Sequence, residues 1–174
     1  MTLYDNRYRI ESSRLQGYDY SQNGAYFITI CTKNREQYFG TIINGVIHHS
    51  QMGEIVKHEW LKTPQLRPDM NIVLDEFIIM PDHMHMIFFI NNRRDAMHGV
   101  STMHGEYKNK FGPQSKNVAS IIRGFKSSVT MYARKQNIPF NWQTGYYDRI
   151  IRDDVELYYI RKYIINNPLQ WEKS

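Results

Sequence analysis

His83 and His85 stand two residues apart in the run Pro81-Asp82-His83-Met84-His85-Met86-Ile87-Phe88-Phe89. Successive side chains of a β-strand point to opposite faces, so the two imidazoles share one face while Met84 and Met86 share the other. Two imidazoles buried side by side are costly without partners. They are either a hydrogen-bonded core pair or two ligands of one metal ion. Further along, Tyr163 and Asn167 are one helical turn apart, at the edge of a stripe formed by Leu157, Ile160 and Ile164. A helix laid across the sheet would carry that phenol and carboxamide to the histidine face. Two neutral imidazoles and an amide oxygen can hold Mg²⁺ or Mn²⁺ in an incomplete shell, with positions left for phosphate oxygens. Such an ion polarises a phosphodiester. A phenol with a pKa of about 10 is a weak nucleophile until its phenolate is stabilised. Attack by the Tyr163 phenolate on phosphorus would displace a 3′-hydroxyl and leave a 5′-phosphotyrosine, a linkage that keeps the bond energy for rejoining. That chemistry is cleavage and strand transfer rather than hydrolysis. Tyr158 and Tyr159 are poorer candidates, because the fourth positions after them hold Lys162 and Tyr163 rather than an amide. Asn166 faces further from the sheet than Asn167.

The elements that must position these groups are legible as local patterns. Tyr26 to Thr32 is rich in β-branched and aromatic residues and reads as a first strand. Residues 39–49 contain Asn44-Gly45 between apolar pairs, the signature of a small β-ribbon. Met52 to Lys62 has helical spacing, with Pro64 and Pro68 expected to close it. Asn71 to Met80 is a second main strand, and His83 to Ile90 pairs back as the third. Asn117 to Gln136 is an amphipathic helix with Val118, Ile121, Ile122, Phe125, Val129 and Tyr132 as its stripe. Tyr146 to Arg152 is a fourth strand. Asp153 caps a last helix with Glu156 three residues on, and Pro168 is expected to stop it near Asn167. The expected fold class is α+β: a ferredoxin-like β-α-β-β-α-β antiparallel sheet with helices on one face, plus a small β-ribbon insertion and a C-terminal helix bearing the nucleophile.

Residues 1–174 are read as one domain, with a basic, aromatic arm at 1–24 and a flexible basic insertion at 91–115, where His98 and His104 are taken as solvated. The chain is 41% hydrophobic and has no apolar run of about 18 residues, so no membrane span is expected. Its start lacks the pattern of a signal peptide. Cys31 is the lone cysteine, which rules out an internal disulfide and cysteine-rich zinc sites and suits the cytoplasm. A net charge of +5 with 13 Tyr, 8 Phe and 3 Trp fits a nucleic-acid partner. Arg7, Arg9, Arg14, Arg123, Lys126 and Arg134 are candidate DNA contacts, although those on the long helix read equally well as a solvated face. Trp142 reads as core rather than as a stacking platform.

Four blocks, in order, carry a family resemblance: Gly17-Tyr18-Asp19-Tyr20-Ser21-Gln22-Asn23-Gly24 running into Ala25–Thr32; Met80-Pro81-Asp82-His83-Met84-His85; Phe140-Asn141-Trp142-Gln143 followed by Tyr146-Tyr147-Asp148-Arg149-Ile150-Ile151-Arg152; and Tyr163-Ile164-Ile165-Asn166-Asn167-Pro168. Together they resemble the HUH-type single-tyrosine transposases, and most closely the REP-associated tyrosine transposases related to the insertion-sequence 200-like enzymes. The resemblance implies that His83, His85 and Asn167 bind a divalent metal, Mg²⁺ or Mn²⁺, that Tyr163 is the nucleophile, and that the substrate is single-stranded DNA near hairpins or repeats. A monomer with a complete site and a homodimer exchanging the last helix both fit. Two other functions share the fold's residues: a DNA-binding protein of the same fold without catalysis, and a metal-dependent phosphoesterase of small substrates.

Overall fold

The computed structural model describes residues 18–91 and 115–171. Its elements are β1 (Gly24–Cys31), β2 (Gly40–Ile43), β3 (Val46–His49), α1 (Gln51–Leu66), β4 (Ile72–Ile79), β5 (His83–Ile90), α2 (Val118–Lys135), β6 (Tyr147–Ile151) and α3 (Asp154–Trp171). The main sheet has the order β4-β5-β1-β6 with every neighbouring pair antiparallel, and β2 and β3 form a separate hairpin. This is the ferredoxin-like arrangement expected from the element order, with the ribbon inserted between β1 and α1.

The period of two in β1 and β5 sorts side chains onto two unlike faces. Tyr26, Ile28 and Ile30 of β1 join Met84, Met86 and Phe88 of β5 on one face, and α1 and α2 cover them with Val56, Trp60, Ile121, Ile122 and Phe125. Phe27 and Ile87 lie on the other face, where α3 covers them with Leu157 and Ile164. Burying each of these large apolar side chains is worth about 1.5–3 kcal/mol. The first two helices therefore share one face, and α3 lies across the opposite one.

Local chemistry fixes the ends. Asn44 and Gly45 adopt φ of 52° and 72°, as a two-residue hairpin turn requires, and a Cβ at Gly45 would come within 2.7 Å of Leu169 Cδ2 on α3. Asn117 and Ser120 form a reciprocal capping box at the start of α2. Asp153 accepts a hydrogen bond from the Glu156 N–H at 2.8 Å, as expected of a cap, while the Glu156 carboxylate accepts from the Arg152 N–H at 2.8 Å.

Two expected helix ends are overturned. Pro64 lies inside α1, which continues to Leu66, and Pro168 lies inside α3, which continues to Trp171. A proline removes one N–H and crowds the carbonyl four residues back. Both prolines fall in the final turn of their helices, so only one ladder bond is forfeited in each case. Pro168 is also buried, and its ring contributes packing. The expected arm at 1–24 is described only from residue 18. Of the expected insertion at 91–115, all but its first and last residues, His98 and His104 included, lie outside the described residues. No helix among the described residues is long and apolar enough to cross a membrane.

A forked ion pair clamps α3 to β4. Arg161 donates from Nε to Asp75 Oδ1 at 3.0 Å and from Nη2 to Asp75 Oδ2. Burial pulls the Asp75 pKa upward, but the Arg161 fork and the Glu76 N–H outweigh it and leave the carboxyl below its ordinary value of 3.8. Because the folded-state pKa is depressed, the pair's stabilisation is present above about pH 4 and is lost as pH falls through the folded value. Arg161 is partly exposed, so Asp75→Asn should lower stability by no more than about 1 kcal/mol in urea unfolding at pH 7, and the difference from the parent protein should shrink as the pH is lowered through the carboxylate range.

Candidate functional site

The antiparallel register sets His83 opposite Cys31 and His85 opposite Thr29, with Tyr147 of β6 opposite Thr29 on its other side. Strand β5 is an inner strand, so both imidazoles are enclosed, at 6% and 5% exposure. Their Nε2 atoms face each other 3.1 Å apart. Each Nδ1 has its own partner. His83 Nδ1 lies 2.5 Å from Asp82 Oδ1 and His85 Nδ1 lies 2.8 Å from Thr29 Oγ1. A carboxylate only accepts, so His83 carries a proton on Nδ1.

Helix α3 brings the remaining groups. The Tyr163 hydroxyl is 3.2 Å from His85 Nε2 within the same chain, and the two rings meet at 5.1 Å. Trp171, two turns further on, lays its ring 5.9 Å from that of His83. Asn167 occupies the turn between them and is buried, whereas Asn166 is exposed, as its helical position suggested. Phe27 stacks on His85 at 5.5 Å and meets Tyr163 edge-on at 6.3 Å, forming an apolar wall beside the phenol. Tyr163 itself remains 43% exposed.

Burial, the neighbouring His83 and the nearby Arg35 push the His85 pKa from 6.5 down to about 3, against a smaller opposing pull from Asp82. At neutral pH this imidazole is therefore uncharged with a lone pair to share. Ligands at about 2.1 Å in an octahedral shell are spaced about 3.0 Å apart, so the Nε2 spacing fits adjacent positions on one Mg²⁺-like ion. Among the described residues, no group of three or more His, Cys, Asp or Glu is disposed to hold a metal. Asn167 is the buried amide on the turn of α3 between Tyr163 and Trp171.

The other sequence candidates lie apart. Arg123 and Arg134 are exposed on α2, which covers the opposite face of the sheet from the histidines. Lys126 donates to the carbonyls of Gln143 and Gly145 at 2.7 and 2.9 Å, so its ammonium group ties the loop before β6 to α2. Trp142 packs against Phe39, Phe125 and Phe140, the core role expected of it. Arg7, Arg9 and Arg14 lie outside the described residues. Sequence reasoning assigned no role at the site to Asp82, Thr29, Phe27, Arg35 or Trp171. Thr29 and Phe27 were findable, since they share the parity of Cys31 opposite His83. Trp171 was hidden by the helix end expected at Pro168.

A pH dependence follows from His85. The unfolded chain takes up a proton near 6.5 and the folded site resists it down to about 3. The stabilisation is whole above pH 6.5 and is lost as pH falls toward 3, with a slope of up to about 1.4 kcal/mol per pH unit. Unfolding in chelator between pH 7.5 and 4.5 should show this slope, and His85→Gln should flatten it.

No family model matches the chain. It is 41% identical over 167 residues to an uncharacterized protein of Haemophilus influenzae, a match that covers 94% of this chain and 90% of that protein. Among solved structures it resembles that of a REP-associated tyrosine transposase bound to a REP hairpin, with a TM-score of 0.54 at 16% identity, covering 98% of this chain and 74% of that one. The second likeness speaks for the fold.

Proposed function

We propose that this chain, which belongs to the same family as the Haemophilus protein and shares the fold of a REP-associated tyrosine transposase, is a metal-dependent enzyme that nicks single-stranded DNA and transfers the strand through Tyr163. The observation that carries this reading is the Tyr163 hydroxyl 3.2 Å from His85 Nε2 within one chain, with buried Asn167 a single turn further on. A divalent ion such as Mg²⁺ or Mn²⁺, held by His83, His85 and Asn167, would supply Lewis-acid polarisation of the scissile phosphodiester. The chain's own residues do the rest. Phe27 packs edge-on against the Tyr163 ring and limits its rotation. The phenol loses its proton to the solvent it faces. Its oxygen bonds to phosphorus as the bond to the 3′-oxygen breaks, and that oxygen takes a proton from water. The product is a 5′-phosphotyrosine that a second 3′-hydroxyl can attack, releasing Tyr163.

Single-stranded DNA with a hairpin or repeat is the substrate class that the net charge of +5 and the hairpin complex of the structural neighbour support. The partial exposure of Tyr163 suits a polymer lying across the surface better than a small enclosed phosphoester. A binding protein of the same fold without catalysis has no use for a phenol held against a histidine pair. With a 5′-labelled and a 3′-labelled hairpin oligonucleotide and Mn²⁺, a covalent adduct should appear on a denaturing gel for one label only. Tyr163→Phe should reduce it by roughly 10³-fold or more, and His83→Ala or chelator should abolish it while hairpin binding persists. An adduct that survives Tyr163→Phe removes this residue as the nucleophile.

A further inference from the structure

We propose that Asp82 and Arg35 form a positioning pair for the histidine site: Asp82 holds His83 in the tautomer that presents Nε2, and Arg35 holds Asp82. The inference deepens the functional reading above and rests on it for its purpose, not for its geometry. Asp82 is 4% exposed and both of its carboxylate oxygens are engaged. Oδ1 lies 2.5 Å from His83 Nδ1, and Oδ2 lies 2.9 Å from Arg35 Nε.

The backbone leaves this carboxylate little freedom. The Met80 N–H donates to the His83 carbonyl at 2.8 Å and closes the turn that carries Asp82. The Thr32 N–H donates to the Asp82 carbonyl at 2.9 Å, and the Phe39 N–H donates to that of Pro81 at 3.0 Å. Arg35 reaches the site from a tight turn in which Asn34 and Arg35 have φ of 56° and 58°. Two consecutive left-handed residues that are not glycine are uncommon, and such strain persists where the surroundings over-determine it. Here the Arg35 guanidinium is fixed at two points, by Asp82 and by Nη1 donating to Cys31 Sγ at 2.8 Å.

The two histidines are consequently held by unlike partners. His85 faces a hydroxyl, Thr29 Oγ1, which can donate or accept and so selects neither tautomer. His83 faces a carboxylate, which accepts only and keeps the proton on Nδ1. A carboxylate behind a ligating histidine also makes the far nitrogen a better donor. An amide at position 82 could still accept from His83, but its NH₂ would meet the Arg35 N–H, donor against donor. Asp82 serves both neighbours at once.

The test begins on the full chain in chelator, with ¹⁵N-labelled histidine and long-range ¹H–¹⁵N correlation, a readout that needs neither metal nor DNA. His83 should show a protonated Nδ1 and a pyridine-type Nε2, and Asp82→Ala should shift it to the Nε2–H form or to an average. Mn²⁺ titration followed by electron paramagnetic resonance should then show affinity about 10- to 100-fold weaker for Asp82→Ala, with a smaller loss for Arg35→Gln. Should Asp82→Ala fail to fold, Arg35→Gln and Asp82→Asn carry the affinity measurement, and the tautomer of the parent protein remains the direct test of the geometry. The Nε2–H tautomer in the parent protein overturns the pair, as does a tautomer and affinity unchanged in the variants. If the parent shows the Nδ1–H form but binds no Mn²⁺, the metal-dependent reading falls while the positioning geometry stands.

Discussion

Strand β5 has no solvent face, and that constraint shapes everything around it. It is paired on both edges and covered on both sides, so its sequence must satisfy two buried surfaces at once. Met84, Met86 and Phe88 meet the demand on the α1 and α2 side with apolar bulk. His83 and His85 fall by parity on the other side, where two imidazoles must be desolvated. Each buried nitrogen then needs a partner, and the site supplies Asp82, Thr29 and the Tyr163 hydroxyl. The two Nε2 atoms are left facing each other, an arrangement that repels when both carry lone pairs and becomes favourable when a cation lies between them.

Helix α3 bears the cost of serving this face. A helix devoted to packing would present an unbroken apolar stripe to the sheet. In α3 that stripe is limited to Leu157, Ile160 and Ile164, because the adjoining line is given to Tyr163, Asn167 and Trp171. Its attachment is completed at the flanks, by the Arg161–Asp75 fork on β4 and by the hairpin turn at Gly45 resting on Leu169. Residues that contribute most to a site commonly contribute least to stability, and the fasteners here lie to either side of the line of Tyr163, Asn167 and Trp171.

What could be read from the sequence was what is encoded locally. The strands follow from β-branched and aromatic runs, the ribbon from Asn44-Gly45, and the face shared by His83 and His85 from a spacing of two. Tyr163 and Asn167 were legible because one helical turn separates them. Pro168 misled because proline's effect depends on how many turns remain after it, which spacing does not reveal. Nothing in the sequence tied Arg35 to the site: forty-six positions of chain separate it from Asp82, and the two left-handed residues of its turn aim it there. Lys126 illustrates the reverse error. On a helical wheel it is one more exposed cation, yet the loop that crosses its end absorbs the charge.

The short link between β6 and α3 decides which histidines Tyr163 can reach. Only Arg152 and Asp153 separate the strand from the helix, and Asp153 is already committed as the cap. With so little chain the helix must fold back over its own sheet. Strand β5 lies two strand spacings from β6, about 9.6 Å. Nine residues of helix, from Asp154 to Tyr163, rise about 13.5 Å. A helix crossing obliquely therefore arrives over β5 at the position where the tyrosine stands, and its next two turns carry Asn167 and Trp171 along the histidine pair. A connection longer by a helical turn or more would relax this geometry and let the phenol serve another copy. The connection present here brings the Tyr163 phenol and the histidines together within one chain.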